Sequence, residues 1–244
     1  MGIEGLNVEA INSKVSRYWS VSVIEETTST QSDLVQQFKP GKVLVAEYQS
    51  AGRGRLDRKF IVPPRKGLTF SFCIEATNDF GWIPLLTGLA VAQGINSYLN
   101  SDLVKIKWPN DLLIDEKKLG GILSEKSETG VVVGVGINIF QTQTELPISD
   151  ATSLTNVVRN MEIDRSELLS RILDRIGEVL ADLGKFKNEY REFCSTIGKS
   201  VMVTLPTGQV IEDLAIGIST EGALLLKSHE ITVGDTVHLR NMDK

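Results

Sequence analysis

Hydrophobic and polar positions alternate over Leu68-Thr-Phe-Ser-Phe-Cys-Ile74, behind Gly67, and this period of two predicts a strand. Val43–Tyr48 is strand-like as well, Val104–Trp108 reads as a short strand, and Val131–Ile139 reads as a buried one. Between them, Ile83–Leu99 places Leu85, Leu86, Leu89, Ala92 and Ile95 at helical spacing, which predicts a helix with a wide apolar face. Leu112–Ile114 and Leu119–Ser124 flank the polar Asp115-Glu116-Lys117 and predict a hairpin. Asp164 followed by Glu167 has the spacing of a capping box. It opens a predicted helix with Leu168, Leu169, Ile172, Leu173, Ile176, Val179, Leu180 and Leu183 on one side.

After Ile197 the texture changes. Ser200–Leu205, Gln209–Ile218, Ala223–Lys227 and Thr236–Arg240 are short strand patterns, separated by turn signals at Pro206-Thr-Gly208, Thr220-Glu-Gly222 and Val233-Gly-Asp235. Such a succession predicts a small barrel. The expected division is therefore a large domain over 1–196 and a small one over 197–244. The second has little core of its own and should pack on the first.

Composition narrows the class. Ordinary apolar content predicts a globular chain, and no run of apolar residues is long enough to span a bilayer. The first twenty residues lack the basic-then-apolar order of a signal peptide. Cys73 and Cys194 stand far apart and form no disulfide framework, so a reducing cytoplasm is the expected location. Cys73 falls in a strand pattern and reads as a small buried hydrophobe. A net charge of −5 disfavours sequence-blind nucleic-acid binding. Yet Arg53, Arg55, Arg58, Lys59, Arg65 and Lys66 crowd into one segment, which suits either a dedicated anion site or a solvated loop.

Three stretches carry candidate chemistry. In Gln49-Ser-Ala-Gly-Arg-Gly-Arg-Leu-Asp-Arg-Lys-Phe60, Gly52 and Gly54 permit close approach of the backbone to a ligand. Arg53, Arg55 and Arg58 offer planar forks for carboxylate or phosphate oxygens. The stretch has neither the Gly-Lys-Ser/Thr ending of a phosphate-binding loop nor the third glycine of a dinucleotide site. In Lys107-Trp-Pro-Asn-Asp111 followed by Lys118-Leu-Gly-Gly-Ile-Leu123, Asp111 leaves a strand at a turn and Lys118 returns in the opposite arm. Spacing alone fits a polar hairpin with a bulge. In Gly134-Val-Gly-Ile-Asn138, glycines again interrupt a strand, and Asn138 can both donate and accept.

In this order and spacing the stretches resemble the biotin–protein ligase family, whose pattern runs Gly-Arg-Gly-Arg-x-x-Arg, Lys-Trp-Pro-Asn-Asp, Lys-x-x-Gly-Ile-Leu and Gly-x-Gly-Ile-Asn. Thr28-Ser-Thr-Gln31 occupies the family's Ser-Thr-Asn segment, with Gln31 in place of asparagine. Leu56-Asp57 replaces an Arg-Gly of some members. The resemblance covers Val23 to Asn138. It implies an α+β catalytic domain, a mixed and largely antiparallel sheet flanked by helices, similar to class II aminoacyl-tRNA synthetases, with a small SH3-like C-terminal barrel. The family's optional DNA-binding domain is not expected here, because the first strand pattern begins near Val21.

The resemblance further implies two half-reactions: formation of biotinyl-adenylate from biotin and Mg-ATP, then transfer of biotin to a lysine of a biotin carboxyl carrier domain of a carboxylase. Lys118, Arg53 and Asp111 are then the catalytic candidates, Asp111 to orient or deprotonate the incoming lysine or to hold the turn. Biotin would meet Ser29, Thr30, Gln31, Gln49, Arg53, Gly54, Arg55, Lys118, Gly121 and Ile122. The adenylate would meet Arg53, Arg55, Arg58, Lys118 and Asn138. No metal site built from side chains is expected. The expected partners exclude nucleic acid and membrane, and the expected state is a monomer or weak dimer. Rival readings are a lipoate- or octanoyl-protein ligase of related fold, a biotin-sensing repressor and a binding module that consumes no ATP.

Overall fold

The computed structural model describes residues 3–55, 58–159 and 161–239. Leu56-Asp57 and Arg240, the end of the last expected strand, lie outside them. The helices are α1 (Val8–Lys14), α2 (Thr30–Gln36), α3 (Ile83–Leu99), α4 (Leu154–Val157), α5 (Arg165–Ala181) and α6 (Leu183–Phe193). The first seven strands are β1 (Ser20–Thr27), β2 (Lys42–Gln49), β3 (Gly67–Glu75), β4 (Lys105–Lys107), β5 (Asp111–Ile114), β6 (Lys117–Lys126) and β7 (Gly130–Asn138). They form one sheet in the order β1-β2-β3-β7-β6-β5-β4, with β1 and β2 parallel and every other pair antiparallel. The expected mixed, largely antiparallel sheet flanked by helices is thus the observed one.

Alternation along the strands sorts side chains to two faces. Val43, Val45, Phe70, Phe72, Val131, Val133 and Val135 join the main core, where α3 packs on α5 and α1 beside it. Leu44, Cys73 and Val132 point the other way, into a smaller cluster with Leu34 of α2. Cys73 is fully buried, as the strand pattern predicted. Asp164 caps α5 by accepting from Ser166 and Glu167 N–H groups. The reciprocal half of the expected capping box is not made: the Glu167 carboxylate binds Lys14 and Arg171 instead. The helix also stops at Ala181, where Asp182 starts α6 by accepting from Lys185 N–H at 3.1 Å.

The tail forms β8 (Ser200–Thr204), β9 (Val210–Ile218), β10 (Leu224–Leu226), β11 (Glu230–Ile231) and β12 (Asp235–His238). Their antiparallel order is β11-β10-β9-β8-β12. Among the described residues β11 and β12 do not pair, so the hydrogen-bonded ladder is open where a barrel was expected. The tail shares an apolar cluster with the rest of the chain. Val201, Val203, Leu224 and Leu226 belong to the same apolar cluster as Trp82 and Trp108. Both indoles donate into the tail, Trp82 to Thr220 O at 2.7 Å and Trp108 to Gly222 O at 3.1 Å.

Candidate functional site

The α2 side of the sheet is stripped of bulk beyond Cys73 and Val132. In register along β3 and β7, Ser71 faces Gly134 and Thr69 faces Gly136. A Cβ on Gly134 would lie 2.7 Å from Gln31 Oε1, and one on Gly136 would lie 2.4 Å from the Phe60 ring. The two glycines therefore let Gln31 and Phe60 lie flat on the strand. Above this floor opens a cleft of about 1480 Å³. Every residue that the sequence singled out as a candidate site residue lines it: Ser29, Thr30, Gln31, Gln49, Arg53, Gly54, Arg55, Arg58, Asp111, Lys118, Gly121, Ile122 and Asn138.

At one end, α2 begins inside the cleft wall. Ser29 caps it through Ser32 N–H, and Thr30 and Gln31 are buried despite being polar. Gln49 Oε1 accepts from Thr30 N–H at 2.8 Å and from its hydroxyl at 3.2 Å. Gln31 donates to Val132 O at 3.0 Å and accepts from the Ser71 hydroxyl at 3.3 Å. This polar cluster is prearranged, because each member is held by another.

The β5–β6 hairpin forms the centre. Asp111 pairs with Gly121 and Leu112 with Gly120, but Leu113 pairs with Lys118, so Leu119 is bulged out. Opposed residues share a face and the side-chain period is two, so the bulge moves Lys118 to the face of Asp111. Lys118 Nζ then lies 2.5 Å from Asp111 Oδ1, and Lys107 Nζ lies 3.1 Å from Oδ2. Burial pushes the Asp111 carboxyl up, but Lys118 and Lys107 outweigh it and hold it below the usual aspartate value. Asn110 braces the same turn, donating to Ile122 O at 2.9 Å.

The Gly-Arg loop forms a flap over the hairpin. Phe60 N–H donates to Gly52 O at 2.9 Å, and a Cβ on Gly52 would meet Phe60 O at 2.1 Å, so only glycine allows this closure. Arg53 pairs with Glu125 at 2.9 Å. Arg55 donates to Asn110 Oδ1 at 3.1 Å and to Gly234 O at 3.4 Å. Arg58 pairs with Asp235. Burial lowers the Arg55 guanidinium from its usual value while Asp235 and Asp111 pull it back up. On the far side, Asn138 donates to Thr152 O at 3.1 Å and accepts from Gln141 at 2.8 Å, which leaves one donor and one acceptor position on its amide.

Several lining residues carry no sequence motif. Lys199 and Asp235 to Leu239 come from the tail, and Glu116 from the hairpin tip. Glu116 accepts from Lys199 at 2.7 Å and is 2.8 Å from His238 Nδ1. Burial pushes the Glu116 carboxyl up, yet its bonds to Lys199 and His238 bring it below the usual glutamate value. Among the described residues the lining is basic: Arg53, Arg55, Arg58, Lys59, Lys107, Lys117, Lys118 and Lys199 face Asp111, Asp115, Glu116, Asp150 and Asp235. In a chain of net charge −5 this concentrates positive potential in the cleft and suits a polyanionic ligand. No helix among the described residues is long and apolar enough to cross a membrane.

Residues 21–139 match the biotin/lipoate A/B protein ligase family. Over 92% of its length the chain is 34% identical to the biotin–[acetyl-CoA-carboxylase] ligase of Mycobacterium tuberculosis, covering 91% of that protein. Over 91% of its length it is 28% identical to the bifunctional ligase/repressor BirA of Escherichia coli, covering 74% of it. Its fold is similar to that of the biotin protein ligase from Aquifex aeolicus solved in complex with biotin and ATP. The TM-score is 0.80 at 31% identity, over 90% of this chain and 98% of that one.

Proposed function

The chain belongs to the biotin/lipoate A/B protein ligase family, and from that premise we propose that it is an ATP-dependent biotin–protein ligase acting on a lysine of a biotin carboxyl carrier domain. The observation that carries this reading is the meeting of Lys118, Asp111 and the arginine flap in one basic cleft, beside a prearranged polar cluster at the start of α2.

In the first half-reaction a biotin carboxylate oxygen attacks the α-phosphorus of ATP and the bond to pyrophosphate breaks. Two anions must meet, and like charges at 4 Å repel by about 4 kcal/mol at an effective dielectric near 20. Lys118 faces the reacting carboxylate and α-phosphate, and Arg53, Arg55 and Arg58 offset the remaining charge. Ser29, Thr30, Gln31 and Gln49 hold the ureido ring, while Gly54, Gly121 and the backbone of Ile122 lie along the rest of the ligand; the Ile122 side chain belongs to the main core. Asn138 spends its remaining donor and acceptor on adenine. Magnesium enters with the nucleotide. The ion would be carried mainly by the phosphates.

In the second half-reaction the carrier's lysine, having lost its ammonium proton to solvent, attacks the acyl carbon as the free amine; the amide bond forms, the bond to AMP breaks, and the second amine proton leaves to solvent. Asp111, anionic between two cations, is suited to receive the incoming ammonium by charge and orient it. Its depressed pKa suits it less to taking the proton. The tail, here taken as a second domain from 197, closes one wall of the cleft, and an SH3-like kinship of its open sheet is part of the same proposal. A cytoplasmic setting belongs to the same proposal, supported by Cys73 and Cys194, which are free and buried.

Biotin-dependent exchange of pyrophosphate into ATP tests the reading. Exchange with biotin and none with octanoate or lipoate is expected. Exchange with octanoate alone would replace biotin by a linear acid, and biotin binding without exchange would leave a binding module.

A further inference from the structure

His238 sits in β12, distant in sequence from every motif of the cleft, yet it closes a hydrogen-bonded path through the centre of the site. Trp108 N–H donates to the Thr196 hydroxyl at 3.0 Å. That hydroxyl lies 3.0 Å from His238 Nε2. The Glu116 carboxylate at Nδ1 can only accept, so a neutral ring carries its proton on Nδ1, and Nε2 accepts from the Thr196 hydroxyl. Nδ1 is 2.8 Å from Glu116 Oε2, while Lys199 Nζ donates to Oε1 at 2.7 Å. Lys199 and Nδ1 are both donors, and both converge on the one carboxylate.

The path therefore runs from the backbone beside Lys107, through Thr196 and His238, to the tip of the β5–β6 hairpin. The tip needs such a hold. Asp115 and Glu116 take φ of +49° and +61°, a region that non-glycine residues occupy at a cost and keep only where their surroundings fix them. The two arms leaving this tip carry Asp111 and Lys118.

We propose that His238 is a positioning residue: its neutral ring ties Glu116 to Thr196 and so fixes the hairpin that sets Lys118 against Asp111. The consequence for catalysis rests on the ligase reading above; the bonding of the ring does not. The charged groups around the ring are Glu116 from the hairpin, Lys199 before β8 and Lys107 from β4. Burial lowers the ring below the usual histidine value, Glu116 pulls it up, and the two lysines push it down. When the ring does protonate at acid pH, a cation faces Lys199 at 3.3 Å and the Thr196 hydrogen loses its acceptor. The Nδ1–H bond to Glu116 persists, so it is the Thr196 end of the tie that weakens.

The test compares wild type with His238→Ala, His238→Asn and His238→Gln in biotin-dependent pyrophosphate exchange from about pH 5 to pH 8. The alanine variant should lose about tenfold or more in kcat, the weight of a hydrogen bond to a charged partner. Its biotin affinity by calorimetry should be unchanged, because biotin is held from α2. Asparagine keeps an N–H toward Glu116 but loses the bond to Thr196, and should recover part of the rate; glutamine, which reaches the Nε2 position, should recover less. The acid limb of the wild-type profile should be absent from the asparagine variant. Nitrogen chemical shifts of the His238 ring should report the Nδ1–H tautomer. Wild-type kcat in the alanine variant, equal rescue by asparagine and glutamine, or an Nε2–H ring would each overturn the proposal. A wild type without exchange would overturn the ligase reading instead, and the ring tautomer would still decide the hydrogen-bonded path.

Discussion

Around Asp111 a few charges decide what the cleft does. With Lys118 and Lys107 on its two oxygens the carboxylate stays ionised across the neutral range, and its depressed pKa also makes it a stability element. A carboxyl whose folded pKa lies below its unfolded one adds stability that is complete above the unfolded value. That stability is lost as pH falls through the folded value. Urea stability should therefore drop on acidification below the usual aspartate range. In Lys118→Ala the Asp111 carboxyl should titrate higher, read by carbon chemical shifts of its side chain; an unchanged titration would show that Lys118 is not its partner. The same variant should lose about 100-fold or more in exchange rate, the scale for deleting one group aimed at developing charge. Its melting temperature should fall by only about a few degrees, since Lys118 is part-exposed and Lys107 still pairs with Asp111. Exchange at the wild-type rate would remove Lys118 from the reacting centre. The motif made both residues legible in the sequence. It did not make Lys107 legible as the second cation, because only the bulge at Leu119 shows which side chains share a face.

Among the elements, those with one strong period were readable and those built around the cleft were not. The helix Ile83–Leu99 is observed as predicted, and β3 and β7 differ from their patterns by single residues. By contrast α2 is short and hides polar Thr30 and Gln31, because the space they face is the cleft and not the core. No apolar periodicity can announce such a helix. The break at Asp182 escaped notice because the apolar phase runs on through Leu183, while the decisive signal is a side-chain cap. β11 is two residues long and too short for any pattern. Also hidden is the clamp between elements made by Arg165 of α5. Its guanidinium is buried against Glu47 of β2 at 2.7 Å, Gly67 O of β3 at 3.1 Å and Glu4 O at 2.7 Å, and Glu47 also accepts from Leu6 N–H. Removing one partner leaves a buried charge alone, so Arg165→Ala should cost about 3–5 kcal/mol in urea unfolding. Arg165→Met with Glu47→Leu should recover much of that loss. A single variant near wild-type stability would show that the pair is not needed.

Over the whole molecule, the arginine flap and the tail meet across the cleft. The small size of the tail predicts that it packs on the larger domain, but not which residues meet the site, since Arg55 and Gly234 are 179 positions apart and the tail carries no motif. Arg55 spans three parts at once: its own loop, Asn110 of the hairpin turn and the backbone of Gly234. Arg58 adds the bond to Asp235. This strap lies over the place where the mixed anhydride would form, and closing it would keep water and stray nucleophiles from the acyl carbon. Lys118 and Asp111 do not depend on the strap for their mutual distance. Arg55→Gly should therefore still form the adenylate, yet lose the hold of flap on tail and release the intermediate. A free acyl-adenylate reacts with any exposed lysine. Incubated with biotin, ATP and an unrelated protein, the variant should label that protein on many lysines, read by mass spectrometry, while wild type leaves it unmodified. Adenylate off-rates measured by rapid dilution should rise by about tenfold or more, as expected for losing a charge-assisted contact. A variant that retains its adenylate as wild type does would show that the cleft is sealed by something other than this arginine.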